Sequence, residues 1–90
     1  MKATRETSKI YAGTERIAYL LSEPLQDRTY PFIDSLTGVL RFERPRLVMT
    51  WGKNGEHLSV CDMRCEVRDF TPICAEDETK IRLAISEAGT

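Results

Sequence analysis

Ninety residues with a net charge of −1, 41% hydrophobic and 30% charged side chains, make a chain of ordinary globular composition, long enough for one domain spanning residues 1–90 with its own modest core. The balanced charge excludes a global field drawing the protein toward nucleic acid or acidic membranes, and the composition excludes a disordered chain. The apolar run Ile17 to Leu21 is far shorter than the roughly 20 residues a bilayer needs, Met1 to Arg5 shows no secretory leader, and three cysteines suit no secreted disulfide framework, so the expected setting is the cytoplasm, without a membrane partner.

Thr7-Ser8 precedes Ile10, Gly13, Ile17, Leu20 and Leu21, which recur at helical spacing. That spacing predicts a helix from Ser8 to Ser22, ended by Pro24. The same residues also fit a hairpin, Lys9 to Ala12 and Arg16 to Leu21 around Gly13-Thr14-Glu15, and Gly13 weakens the helix by about 1 kcal/mol against alanine. The helix is the favoured reading. Glu23 to Thr29 is polar, contains Pro24 and reads as a connecting loop. Tyr30 to Asp34 and Val39 to Glu43 then flank Ser35-Leu36-Thr37-Gly38 as a hairpin. Alternation in its second strand directs Leu40 and Phe42 to the core and Arg41 and Glu43 to water. Pro45 interrupts the alternation, which implies one strand bent there or two strands meeting there.

Arg46 to Asp69 reads as the main hairpin, turning at Asn54-Gly55, a pair that suits a two-residue type I′ turn. This register sets Trp51 opposite Leu58, Met49 opposite Val60 and Thr50 opposite Ser59. Leu47, Met49, Trp51 and Leu58 then share one face. Farther along, Cys61, Met63, Cys65 and Val67 alternate with Asp62, Arg64, Glu66 and Arg68 in the opposite parity. One extra residue near Ser59 to Cys61, a β-bulge, restores a continuous apolar face and pairs Leu47 with Met63. Ala75 to Ala88 reads as a closing helix with a stripe of Ile81, Ala84, Ile85 and Ala88, although Ile81, Leu83 and Ile85 also alternate as a strand would. Glu76-Asp77-Glu78 are read as solvated complements of the helix dipole. The fold class is therefore α+β: an antiparallel meander of about four strands with an N-terminal and a C-terminal helix on one face.

His57, Cys61, Cys65 and Cys74 resemble a metal set, but a four-residue step along a strand spans about 13 Å, whereas zinc ligands converge within about 2.0–2.3 Å of one ion. No metal and no cofactor is expected. The same spacing forbids a Cys61–Cys65 disulfide; Cys74 meets either cysteine only if Phe70 to Ile73 folds back. His57, the single histidine, has no nucleophile beside it in this register, and the scattered glycines form no phosphate loop. The chain is read as non-enzymatic. Trp51 is read as a core residue over Leu58, or as an exposed anchor if the first segment leaves it uncovered.

The polar side of the main hairpin carries Arg46, Asp62, Arg64, Glu66 and Arg68, with Arg44 and Lys53 nearby. Such a ladder is often only a solvated support for strand pairing. Its two-sign charge also suits protein docking, because arginine binds carboxylates through a planar fork. The expected function is a regulatory or inhibitory contact with a protein partner. Nucleic acid is the alternative, through Arg44, Arg46, Lys53, Arg64 and Arg68, but Asp62 and Glu66 would repel phosphates and no aromatic side chain is interleaved for stacking. A cysteine-based redox or metal role comes third, and a homodimer through a sheet edge stays open.

Overall fold

The N-terminal segment is a hairpin, not a helix. In the computed structural model, which describes residues 1–11, 13–34, 36–61 and 71–88, strands β1 (Ala3–Tyr11) and β2 (Thr14–Leu21) pair antiparallel from Ala3↔Leu21 to Tyr11↔Thr14. Only two residues separate Tyr11 from Thr14, and Gly13 adopts φ +79°, the mirror-region conformation that tight hairpin turns need. The run Ile17 to Leu21 misled the helical reading because β2 is apolar on both sides. Ala18 and Leu20 join one core cluster, Tyr19 and Leu21 the other. A strand covered on both faces reads as a continuous apolar run, which periodicity cannot separate from a helix. Pairing shifts by one between Arg5 and Thr7, leaving Glu6 as an extra residue.

Among the described residues five further strands follow: β3 (Tyr30–Ile33), β4 (Leu40–Glu43), β5 (Leu47–Trp51), β6 (His57–Cys61) and β7 (Thr71–Pro72). One helix among the described residues, α1 (Ala75–Ala88), closes the chain as the sequence anticipates. The main sheet has five strands in the order β1-β2-β5-β6-β7, and β3–β4 forms a separate pair. The architecture is α+β, but the expected four-stranded meander becomes a five-stranded sheet interrupted by a hairpin excursion. Two strands, not one bent strand, meet around Pro45. Leu25 is buried and anchors the otherwise polar loop after β2; its N–H donates to Pro45 O at 3.1 Å.

The main hairpin keeps its place but changes register. Trp51 pairs with His57, Thr50 with Leu58, Met49 with Ser59, Val48 with Val60 and Leu47 with Cys61. Regular pairing from Leu47 to Trp51 leaves no bulge between Ser59 and Cys61; the extra residue sits in the connection instead. Residues 52–56 form that connection, with the Gly55 N–H donating to Gly52 O at 3.3 Å and both glycines at positive φ. A one-residue slip moves every side chain to the other face, so Leu58 joins Val48 and Val60 while Trp51 stays with Leu47, Met49 and Cys61. Cys61 thus reaches the Leu47 face without a bulge. Leu47 pairs with Cys61 and not, as expected, with Met63; Met63, Cys65 and Val67 themselves fall outside the described residues.

The larger core lies on the helix side of the sheet, where Leu21, Val48, Val60, Phe32 and Ile81 are almost completely buried. Arg82 of α1 fixes the helix to the hairpin tip: Nη1 donates to Gly55 O at 3.1 Å and Nη2 to Glu56 O at 2.6 Å, while Nε donates to Glu78 at 3.0 Å. No helix among the described residues is long and apolar enough to cross a membrane.

Candidate protein-docking face

Strands β3 and β4 pair as Tyr30↔Glu43, Pro31↔Phe42, Phe32↔Arg41 and Ile33↔Leu40. Directly opposed residues share a face, so the hairpin has two different sides. One carries Tyr30 and Phe32 beside Glu43 and Arg41; the other carries Pro31, Ile33, Leu40 and Phe42. Only one side can meet the core, and the side with two aromatic rings does so. Tyr30 and Phe32 are buried in the cluster that holds Val48 and Ile81. Arg41 and Glu43, half-buried, pair at 3.2 Å. Leu40 and Phe42, expected in the core, face outward.

The connecting loop presents more apolar surface in a defined shape. The Asp34 carboxylate accepts the Leu36 N–H at 2.9 Å and the Thr37 N–H at 3.2 Å, an arrangement characteristic of Asx turns. The Gly38 N–H donates to Asp34 O at 2.8 Å and the Asp34 N–H to Val39 O at 2.9 Å. Leu36 therefore sits on a braced loop with 88% of its surface exposed; Ile33 is 59% exposed, Val39 55%, Leu40 51% and Phe42 63%. Among the described residues the other exposed large hydrophobics are Met1 and Leu83. Such a concentration on one hairpin is unlike the single scattered hydrophobics of ordinary surfaces.

Of the charged set chosen from sequence, Arg44, Arg46 and Lys53 lie among the described residues. Arg44 and Arg46 are exposed at the start of β5, and Lys53 is exposed in the turn beyond its far end. The whole of β5, five extended residues or roughly 17 Å, lies between Arg46 and Lys53. Arg46 is further tied down, its Nε donating to Leu21 O at 3.2 Å. Asp62, Arg64, Glu66 and Arg68 lie outside the described residues. Trp51 is half-buried, stacks on His57 with ring centroids 4.2 Å apart, and donates from Nε1 to Ser59 Oγ at 3.1 Å. It belongs to the face opposite Leu58.

Compared with protein-family models, curated proteins and solved structures, the chain matches none.

Two other places collect functional groups. At the start of α1, Asp77 is buried and accepts the Tyr30 hydroxyl at 2.6 Å, with Arg28 Nε at 3.2 Å. The Tyr30 oxygen also accepts the Cys74 N–H at 3.2 Å and lies 3.3 Å from Cys74 Sγ. Burial and the Asp77 hydrogen bond push the Tyr30 phenol well above its ordinary pKa. Every member of this group holds another, which is how a structural network looks. The expectation that Glu76, Asp77 and Glu78 are all solvated fails at Asp77. Separately, Ile17, Tyr19, Thr50, Lys53 and Ile85 line a half-open cleft of about 440 Å³ between α1 and the main-hairpin tip. Cys74 carries a free thiol, and no three His, Cys, Asp or Glu side chains among the described residues converge as metal ligands.

Proposed function

We propose that this is a non-enzymatic protein that works by binding a protein partner through the outer face of the β3–β4 hairpin, with a regulatory or inhibitory outcome. The observation that carries this reading is the exposure of Ile33, Leu40 and Phe42 on the outer face, with Leu36 and Val39 exposed on the braced loop at its end, each more than half exposed. Taking about 200 Å² per large side chain, the five present on the order of 600 Å² of apolar surface. That is the upper end of what a monomer leaves uncovered, and patches of this size mark interaction sites. Phe42 supplies an aromatic side chain of the kind enriched in interface cores.

The experiment compares immobilised wild type with the Leu40→Ser/Phe42→Ser double variant in a lysate of the host cell. Retention of a protein by wild type and its loss by the folded double variant is the expected result. Equal retention by both, or none by a folded wild type, removes the hairpin from any docking role.

A further inference from the structure

We propose that the cleft between α1 and the main-hairpin tip is a ligand site for a small carboxylate carried on an apolar, ring-bearing body. The site shares no residue with the β3–β4 hairpin and does not depend on its docking role. The cleft exists because one helix does not cover the whole helix-side face of the main sheet. On β2, Leu21, Tyr19 and Ile17 share that face with Val48 and Thr50 of β5, through the pairs Tyr19↔Val48 and Ile17↔Thr50. Leu21 and Val48 are fully covered, whereas Tyr19 and Ile17, nearer the β1–β2 turn, are half-buried. Along α1 the cover thins in the same way, from buried Ile81 and Ala84 to half-buried Ile85. Ile17, Tyr19 and Ile85 are thereby left as apolar lining, and the volume of about 440 Å³ falls within the range of small-molecule sites.

The polar lining says what fits. Thr50 is 7% exposed, yet its hydroxyl has no hydrogen-bond partner among the described residues. A buried hydroxyl is normally paired. Its Oγ1 lies toward the turn, 3.9 Å from where a Cβ on Gly55 would stand, and both residues line the cleft. Thr50 therefore offers an unused hydrogen bond to whatever enters. Charge sets the sign of the occupant. The lining holds two cations, Lys53 and Arg82, against one carboxylate, Glu15. Glu15 is matched by Arg5 at 3.7 Å. Arg82 is matched by Glu78 and commits three of its five N–H donors to Glu78, Gly55 and Glu56. Lys53, exposed at the rim, has no counter-charge among the described residues. One negative charge on the ligand balances it. A phosphate monoester would bring a second charge to an apolar surface, where an uncompensated charge is costly. A carboxylate supplies the single charge and accepts from the lysine and the threonine together.

Titration of the isotope-labelled full chain with phenylacetate, followed through backbone amide shifts, tests the site. Saturable shifts are expected at Ile17, Thr50, Lys53 and Gly55, with a dissociation constant of about a millimolar, which is what a ligand of this size supplies. Naphthylacetate should bind about tenfold tighter, because its second ring buries further apolar area. Uncharged phenylacetamide should bind about tenfold more weakly. Thr50→Val, which keeps the shape, and Lys53→Met should each weaken phenylacetate about fivefold. Arg44→Met, which removes a charge at the far end of β5, should leave binding unaltered. The amide spectrum of each variant establishes that it is folded. A wild type without saturable shifts at the cleft overturns the inference, as does phenylacetamide binding as tightly as the acid. Folded Thr50→Val and Lys53→Met variants that both bind phenylacetate like wild type overturn it as well. Phenyl phosphate binding more tightly than phenylacetate overturns the carboxylate and assigns the cleft to a phosphoryl ligand.

Discussion

Asp77 shows how much a single side chain changes the reading of α1. Three adjacent acids open the helix, yet only Asp77 lies on the stripe continued by Ile81 and Ala84, and these three are its buried residues. That spacing, four then three, was legible in the sequence; residue type overrode it, because a carboxylate in a first helical turn is usually solvated. What the sequence did not display is the partner, since Tyr30 and Arg28 arrive from the other side of the chain. Replacing Asp77 by alanine strands the Tyr30 hydroxyl and loosens Arg28. Urea denaturation is expected to show a loss of about 2–3 kcal/mol, against less than about 0.5 for exposed Glu76→Ala. Equal losses would mean that Asp77 is not the buried member. Tyr30 adds a pH signature. An unfolded phenol ionises near pH 10, whereas burial and Asp77 hold the folded one higher. The stabilisation is therefore complete below about pH 10 and falls as pH rises toward the folded pKa, because only the unfolded state gives up its proton there. Tyr30→Phe should flatten the alkaline limb of the stability profile; an unchanged limb would place its origin elsewhere.

At the scale of elements, the two later hairpins were legible and the register of β5–β6 was not. Asn54-Gly55 correctly marked the tip of the β5–β6 hairpin, but reading it as a two-residue turn displaced the partner of every β5 residue by one. The second glycine was the missed signal: Gly52 and Gly55 bracket the turn, and each takes positive φ. Gly52 is the more constrained. Its φ is +100°, and an added Cβ would come within 2.8 Å of His57 Cδ2 and 3.1 Å of Glu56 Cγ; at Gly55, with φ +66°, the nearest atom is Thr50 Cβ at 3.8 Å. Gly55→Ala is expected to lose about 1 kcal/mol through the left-handed backbone alone. Gly52→Ala should lose about 2 kcal/mol or more, because His57 must also shift from its stack on Trp51. Thermal melts give the order, and Trp51 fluorescence reports the stack. A reversed order would put the strained turn somewhere else. For β1 and β2 the difficulty was different, since a strand apolar on both faces is indistinguishable from a helix until its neighbours are known.

For the whole molecule, the decisive question is which surfaces the core leaves over. An α+β class followed from local patterns, the helical stripe of α1 standing beside runs that alternate as strands. Which side of β3–β4 turns inward did not follow, since it depends on pairing the two strands before assigning either. Alternation in β4 alone sends Leu40 and Phe42 inward; paired with β3, it sets them beside Pro31 and Ile33 and opposite in face to Tyr30 and Phe32. The chain thus has more apolar hairpin surface than one core can cover, and the remainder is the surface proposed for docking. Two phenylalanines separate these sides. Phe32, 2% exposed, shares its cluster with Val48, Val60 and Ile81, so Phe32→Ala is expected to lower the stability by about 3–4 kcal/mol. Because that cluster spans hairpin, sheet and helix, far-UV circular dichroism and Trp51 fluorescence should report one coincident transition for wild type and variant alike. Phe42→Ala, followed at dilute concentration where association does not contribute, should change stability by less than about 0.5 kcal/mol. The opposite ranking would turn the hairpin over, return Leu40 and Phe42 to the core, and remove the surface on which the docking proposal rests.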